Sequence, residues 1–271
     1  MLTLEASIRL GAFAGVFGLM ALWELAAPRR RLRVGKRRWA GNLPLTIFNT
    51  VLLRVAVPLG AYGAAEVAAE RGWGLLNLVD APALVEVTIA VLLLDLTIYL
   101  QHRVFHAVPV LWRFHKVHHA DNDFDVTTGL RFHTASMVLS MGVKMGATIA
   151  IGASPLAVLI GETALNLTAM FNHANVRMPV GLDRILRWIV VTPDMHRVHH
   201  SVGRDEHSRN FGFNFPWWDR LLGTYRDQPA SGHEAMTIGL DEYQAQPRQS
   251  LSWMIALPFR KADLGKTTAS W

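Results

Sequence analysis

The chain has 271 residues, 51% of them hydrophobic and only 18% charged, with no cysteine and a formal net charge of +6. Soluble domains are nearer a quarter charged, so this balance points to an integral membrane protein. The lack of cysteine excludes disulfides, thiolate metal sites and cysteine-held iron–sulfur clusters. The excess positive charge has no groove-reading or RNP-like pattern beside it, which argues against a nucleic-acid partner.

The first apolar run covers about 6–27 and ends at Pro28. A cleaved signal peptide carries its positive charges before the apolar core, and Glu5 and Arg9 offer no such region, so a retained membrane helix is expected. Next comes "RRRLRVGKRR", with seven basic residues (Arg29, Arg30, Arg31, Arg33, Lys36, Arg37, Arg38). It reads as a cytoplasmic loop beside anionic headgroups. A second run spans roughly 41–66, interrupted by Pro44 and Pro58, with Arg54 facing the bundle interior or snorkelling. Residues 67–83 read as a loop or interfacial segment. The third helix starts near Pro82 and continues through His106. Its roughly 25 residues make about 37 Å against a hydrocarbon core of about 30 Å, so its last turns emerge into the headgroup region or beyond.

Two further apolar runs, 134–151 and 155–172, flank "GASP" and form a transmembrane or re-entrant hairpin. Lys144 and Glu162 are equidistant in sequence from Ala153, which predicts that they face each other at one depth, since an isolated charge there is costly. From about 173 onward the chain is polar with isolated aromatics. The apolar runs make a membrane helical bundle of about four spans. Residues 1–101 would carry the N-terminal membrane helices and basic loop, and 102–271 a cap, interrupted by the hairpin. Counting spans from the basic block puts both histidine-rich segments and the C-terminal end on the cytoplasmic side.

Five of the twelve histidines lie in "HRVFHAVPVLWRFHKVHH", and "HRVHH" recurs eighty residues later. Positions i, i+3 and i+4 share a helix face. His102 and His106 can therefore converge, and Asp95 and Tyr99 continue their face as candidates to hydrogen-bond ring nitrogens not bound to metal. His115, His118 and His119 form a second unit; His196, His199 and His200 form a third. Adjacent histidines point about 100° apart, so one triplet can address two metals. "TPDM" is a helix start, with Thr192 as cap, Pro193 at the first position and Asp194 in the first turn. Eight imidazoles packed without a metal would strand donors and acceptors, or repel one another on protonation. They exceed the capacity of one ion. His207 and His233, in polar stretches, read as ordinary.

The pattern HxxxH, HxxHH, HxxHH on such a chain resembles the fatty acid hydroxylase/sterol desaturase superfamily. The resemblance runs from about Asp95 to Tyr225 and includes "LWRFHKVHH", "NHANV", "TPDMHRVHHS" and "RNFGFNFPWWDRLLGTY". It implies an all-α fold, an integral membrane helical bundle of about four spans under a cytosolic histidine-rich helical cap that holds a dimetal centre, and a membrane-bound di-iron oxygenase of bacterial type. The eight histidines named above would be ligands and catalytic, and His133 and His173 further ligand candidates. Relatives often follow the His133 position with proline and glutamate, where this chain has Thr134 and Ser136. Asp194 joins Asp95 and Tyr99 as a supporting residue. "WWDR" at 217–220 reads as interfacial anchoring with an ion pair between cap and body.

The function expected is O2-dependent hydroxylation of a membrane lipid by two iron ions, with electrons from a separate reductase or carrier, in a bacterial inner membrane. Desaturation would use the same site. A non-catalytic metal-binding or transport protein is the reading from another class, but a transporter places its ligands at mid-bilayer on broken helices. The sequence names neither the lipid nor the oligomeric state.

Overall fold

A computed structural model describes residues 4–245 and 249–260, and among them the chain builds helices and no strand. Two isolated antiparallel bridges, Pro28 with Val176 and Ser201 with Ile238, are its only extended pairings there. The end of the chain through Trp271, expected on the cytoplasmic side, lies outside the described residues.

Helix α1 (Leu4–Ala26) turns Phe13, Phe17 and Met20 toward α7 (Pro155–Asn172), where Met170, Ala174 and Val176 complete a core. Its other faces expose leucines such as Leu19 and Leu22, the pattern of a helix in lipid. Helix α2 (Trp39–Ala56) carries Pro44 inside it and breaks at Val57 and Pro58. Helix α3 (Gly60–Arg71) then continues to Gly72, whose φ of 65° ends it in a left-handed cap. This corrects the expected loop from 67: the charges of Glu70 and Arg71 end the apolar run before the helix ends, while the alanines before them suit close helix packing. Ala61 and Ala65 meet Ala90 of α4 (Ala83–Ala107) and Ala157 and Val158 of α7.

Helix α5 (Pro109–His119) restarts at once after Val108, with proline at its first position. Helix α6 (Thr134–Ile151) ends at Gly152, φ 74°, and α7 follows from Pro155, so the two arms have the expected bounds. Both arms pack against α3 and α4. Among the described residues, four segments are long and apolar enough to cross a membrane: Leu4–Ala26, Gly35–Leu78, Ala83–Ala107 and Thr134–Ile151. The protein is an integral membrane helical bundle. Short helices α8 (Val180–Leu186), α9 (Pro193–His199), α10 (Arg204–His207), α11 (Trp217–Leu221), α12 (Gly232–Ala235) and α13 (Leu251–Ala256) form, with α5, a cap at one end.

Inside the bundle Lys144 pairs with Glu162, as their spacing predicts. Arg9 of α1, which the sequence marked for nothing, joins the same carboxylate at 2.8 Å and also holds Glu5 at 2.8 Å. The basic block is not a free loop either. Arg38, fully buried, bonds Asp121 and Asp125, and Asp123 accepts backbone N–H bonds from Arg33, Val34 and Gly35. Arg29 reaches Asp194, and Arg30 donates to the Met236 carbonyl. A buried guanidinium persists only with such paired carboxylates. The block thus clamps the cap to the membrane helices.

Candidate metal centre

Helices α4, α5 and α9 deliver the histidines, and the 3.6-residue period sorts them. His115 and His119 share one face of α5, while His118 points away from it. In α9 and its cap, His196 and His200 share a face and His199 looks elsewhere. The result is two groups. His102, His106, His115, His119 and His199 each offer a ring nitrogen within 4.8 Å of the others; His118, His173, His196 and His200 do the same. The rings of His119 and His200 stack across the boundary, centroids 4.7 Å apart. Each HxxHH unit therefore serves both groups.

The donor set fits cations. His102 Nδ1 lies 2.8 Å from the Phe211 carbonyl, His199 Nδ1 2.7 Å from that of Arg209, and His173 Nδ1 2.7 Å from that of Ala169. A carbonyl only accepts, so each of these rings carries its proton on Nδ1 and leaves a lone pair on Nε2. Yet His102 Nε2 and His199 Nε2 stand 3.1 Å apart. Two lone pairs facing each other repel unless a cation sits with them. In the second group both nitrogens of His196 and of His200 are buried with no hydrogen-bond partner, which is costly without a metal.

Burial holds the rings neutral. His115, His118, His119, His196, His199 and His200 all have pKa values well below the ordinary imidazole range, first from desolvation and then from neighbouring rings. Neutral imidazole is the form that binds metal.

His133 stands outside both groups. It caps α6, its Nδ1 accepting from the Ala135 N–H at 3.1 Å, and its Nε2 lies 3.2 Å from the Ile255 carbonyl. The three supporting residues also act elsewhere, and the carbonyls of Phe211, Arg209 and Ala169 orient His102, His199 and His173 instead. Asp95 Oδ2 accepts from the Trp218 indole at 2.8 Å, and the Tyr99 hydroxyl bonds Thr224 at 2.7 Å. Asp194 pairs with Arg197 and Arg29. Carbonyls leave no side-chain signature, so sequence reading could not find them. His207 lies nearer than its polar setting implied: it stacks on Trp112, centroids 5.8 Å apart, with its ring 6.0 Å from that of His106. His233 bonds Gln228 at 2.9 Å, away from both groups.

Aromatic rings wall the centre off from the membrane helices. Phe132 stacks on His118 at 4.4 Å, and Phe213 lies 5.1 Å from His102 and 5.7 Å from His196. Below them Ile98, Leu165 and Asn214 line a cavity between α4, α6 and α7.

A family model described as fatty acid hydroxylase matches residues 87–224, about half of the chain. The chain is 33% identical over 150 residues to an ornithine lipid hydroxylase of Rhizobium tropici. It is 30% identical over 153 residues to alkylglycerol monooxygenase of Homo sapiens, and 28% over 158 residues to human cholesterol 25-hydroxylase. These matches cover 55%, 54% and 54% of this chain, and 44%, 31% and 55% of the relatives. No solved structure matches significantly.

Proposed function

The chain belongs to the fatty acid hydroxylase family, and from that premise we propose that it hydroxylates a membrane lipid at a two-metal centre. Nine histidines in the two groups would hold the metals, His173 among them and His133 not. The observation that carries this reading is the pair of facing lone pairs on His102 and His199. Imidazole alone suits iron, copper, zinc and nickel. The names of the relatives, all hydroxylases or monooxygenases, favour iron with O2 as co-substrate and electrons from a separate donor. Bound iron would supply oxygen activation.

The chain's own groups do the rest. Carbonyls of Phe211, Arg209 and Ala169 fix three ring tautomers. Phe132, Phe211 and Phe213 keep water from the centre on the membrane side. The histidines sit at the same end as the block with seven basic residues, which supports a cytoplasmic centre in an inner membrane.

Lipid mass analysis of a host with and without the gene tests this. A lipid one oxygen atom heavier is expected. A product lighter by two hydrogens would make the enzyme a desaturase, and an unchanged lipidome with oxygen and reductant supplied would remove the proposal.

A further inference from the structure

Helix α11 is tied to Arg187 and Trp188, just past the end of α8, and the two short helices leave large apolar side chains uncovered by the rest of the chain. Trp217 donates its indole N–H to the Trp188 carbonyl at 2.7 Å, which ties α11 to the segment that follows α8. Leu221 is 73% exposed and Ile185 63%, with Val180, Trp188 and Ile189 also exposed. Scattered apolar residues need no explanation, but a contiguous patch marks a contact surface.

Its depth says what it contacts. Trp218, next to Trp217, donates its indole N–H to Asp95 at 2.8 Å. Asp95 lies twelve residues before the end of α4 at Ala107, about 18 Å along the axis at 1.5 Å per residue. At about 37 Å, α4 exceeds a hydrocarbon core of about 30 Å by only about 7 Å. Even if all of that excess projects on the cap side, the Asp95 contact lies roughly 11 Å inside the core boundary. Asn214 hydrogen-bonds Thr168, one turn below the end of α7, so the whole 214–218 segment descends along the membrane helices. Charge fits as well. Arg220 is sandwiched between the rings of Trp188 and Tyr225, 3.7 and 3.9 Å from their centroids, and Arg184 is exposed on α8 itself. Tryptophan with arginine at the rim is the chemistry of the headgroup boundary.

We propose that α8 and α11 are a membrane-inserted rim of the cap, their apolar side chains seated in the acyl–headgroup boundary of the leaflet on the cap side. The cap is thus not perched above the bilayer on this flank. It is sunk into it, continuous with the lipid-facing surface of α4. Bilayer lipid meets protein within a few side chains of Asn214 and the cavity beneath the histidines.

The chain has no cysteine of its own, so single labels report cleanly. Leu221→Cys and Ile185→Cys, with Asp205→Cys on the exposed cap as reference, would each carry a nitroxide in the full chain. The proteins would be reconstituted in nanodiscs of phosphatidylethanolamine and phosphatidylglycerol. The proposal expects labels at 185 and 221 to relax with O2 in preference to a water-soluble nickel chelate, and the label at 205 to show the reverse. Nickel accessibility at both 185 and 221 equal to that at 205 would overturn it. So would protection from both reagents with dipolar coupling between labels, which would assign the patch to a second copy of the chain. Val180→Cys gives an independent reading should either label perturb its helix.

Discussion

His102 Nε2 stands 3.1 Å from His199 Nε2 while each ring directs its Nδ1 at a backbone carbonyl. Backbone acceptors thus point two lone pairs at one place, an arrangement that a cation between them satisfies. His199→Ala removes one of those lone pairs without removing a packing group of the membrane helices. Turnover should fall to background and metal content should drop, while far-ultraviolet circular dichroism stays that of the wild type. Wild-type activity in this variant would take His199 out of the ligand set.

His133 offers the matching control. Its ring caps α6 and lies outside both imidazole groups, so His133→Ala should keep the full metal content. Loss of the cap should cost about 1 kcal/mol, read as a lowered unfolding temperature in detergent. A variant that lost metal would place His133 among the ligands.

Glu162 balances two cations, Lys144 and Arg9, inside the bundle. Glu162→Gln strands them, and breaking a buried pair from one side costs about 3–5 kcal/mol. Thermal unfolding should show that loss, and adding Lys144→Met should recover part of it. Equal stability of Glu162→Gln and wild type would mean that the pair is solvated.

Acid should destabilise the metal-free protein. His196, His199 and His200 have folded pKa values well below the unfolded value of about 6.5, chiefly from burial. Below that value the unfolded chain binds protons that the folded chain refuses, so stability rises with pH. The contribution is complete above about pH 6.5 and is lost progressively as pH falls toward the folded values. Denaturant titration of apoprotein at a series of pH values between neutral and acid checks the slope. A flat profile would mean that the rings are open to water.

Much of this was legible because local chemistry and tertiary structure agree. Gly152 and Pro155 punctuate the hairpin, so α6 and α7 have the bounds expected of them. The i, i+3, i+4 spacing of each HxxHH unit dictates that its members divide between two directions. Other features depend on partners distant in sequence. Arg38 reads as one more solvated charge until Asp121 and Asp125 close on it from 83 and 87 residues away. Arg9 is silent until α1 lies against α7. His173 enters its group only because the end of α7 meets α9 and α5. Only the end of α3, residues 67–71, read as loop, because Glu70 and Arg71 close the apolar run before the helix itself ends at Gly72.

Elemental analysis of the full chain, purified without chelators from iron-supplied cells, tests the central claim most directly. Two separate groups, five and four imidazoles strong, predict two metal ions per chain, both iron. A single ion at full occupancy, or none, would contradict the two-metal centre and with it the account of how each HxxHH unit is divided.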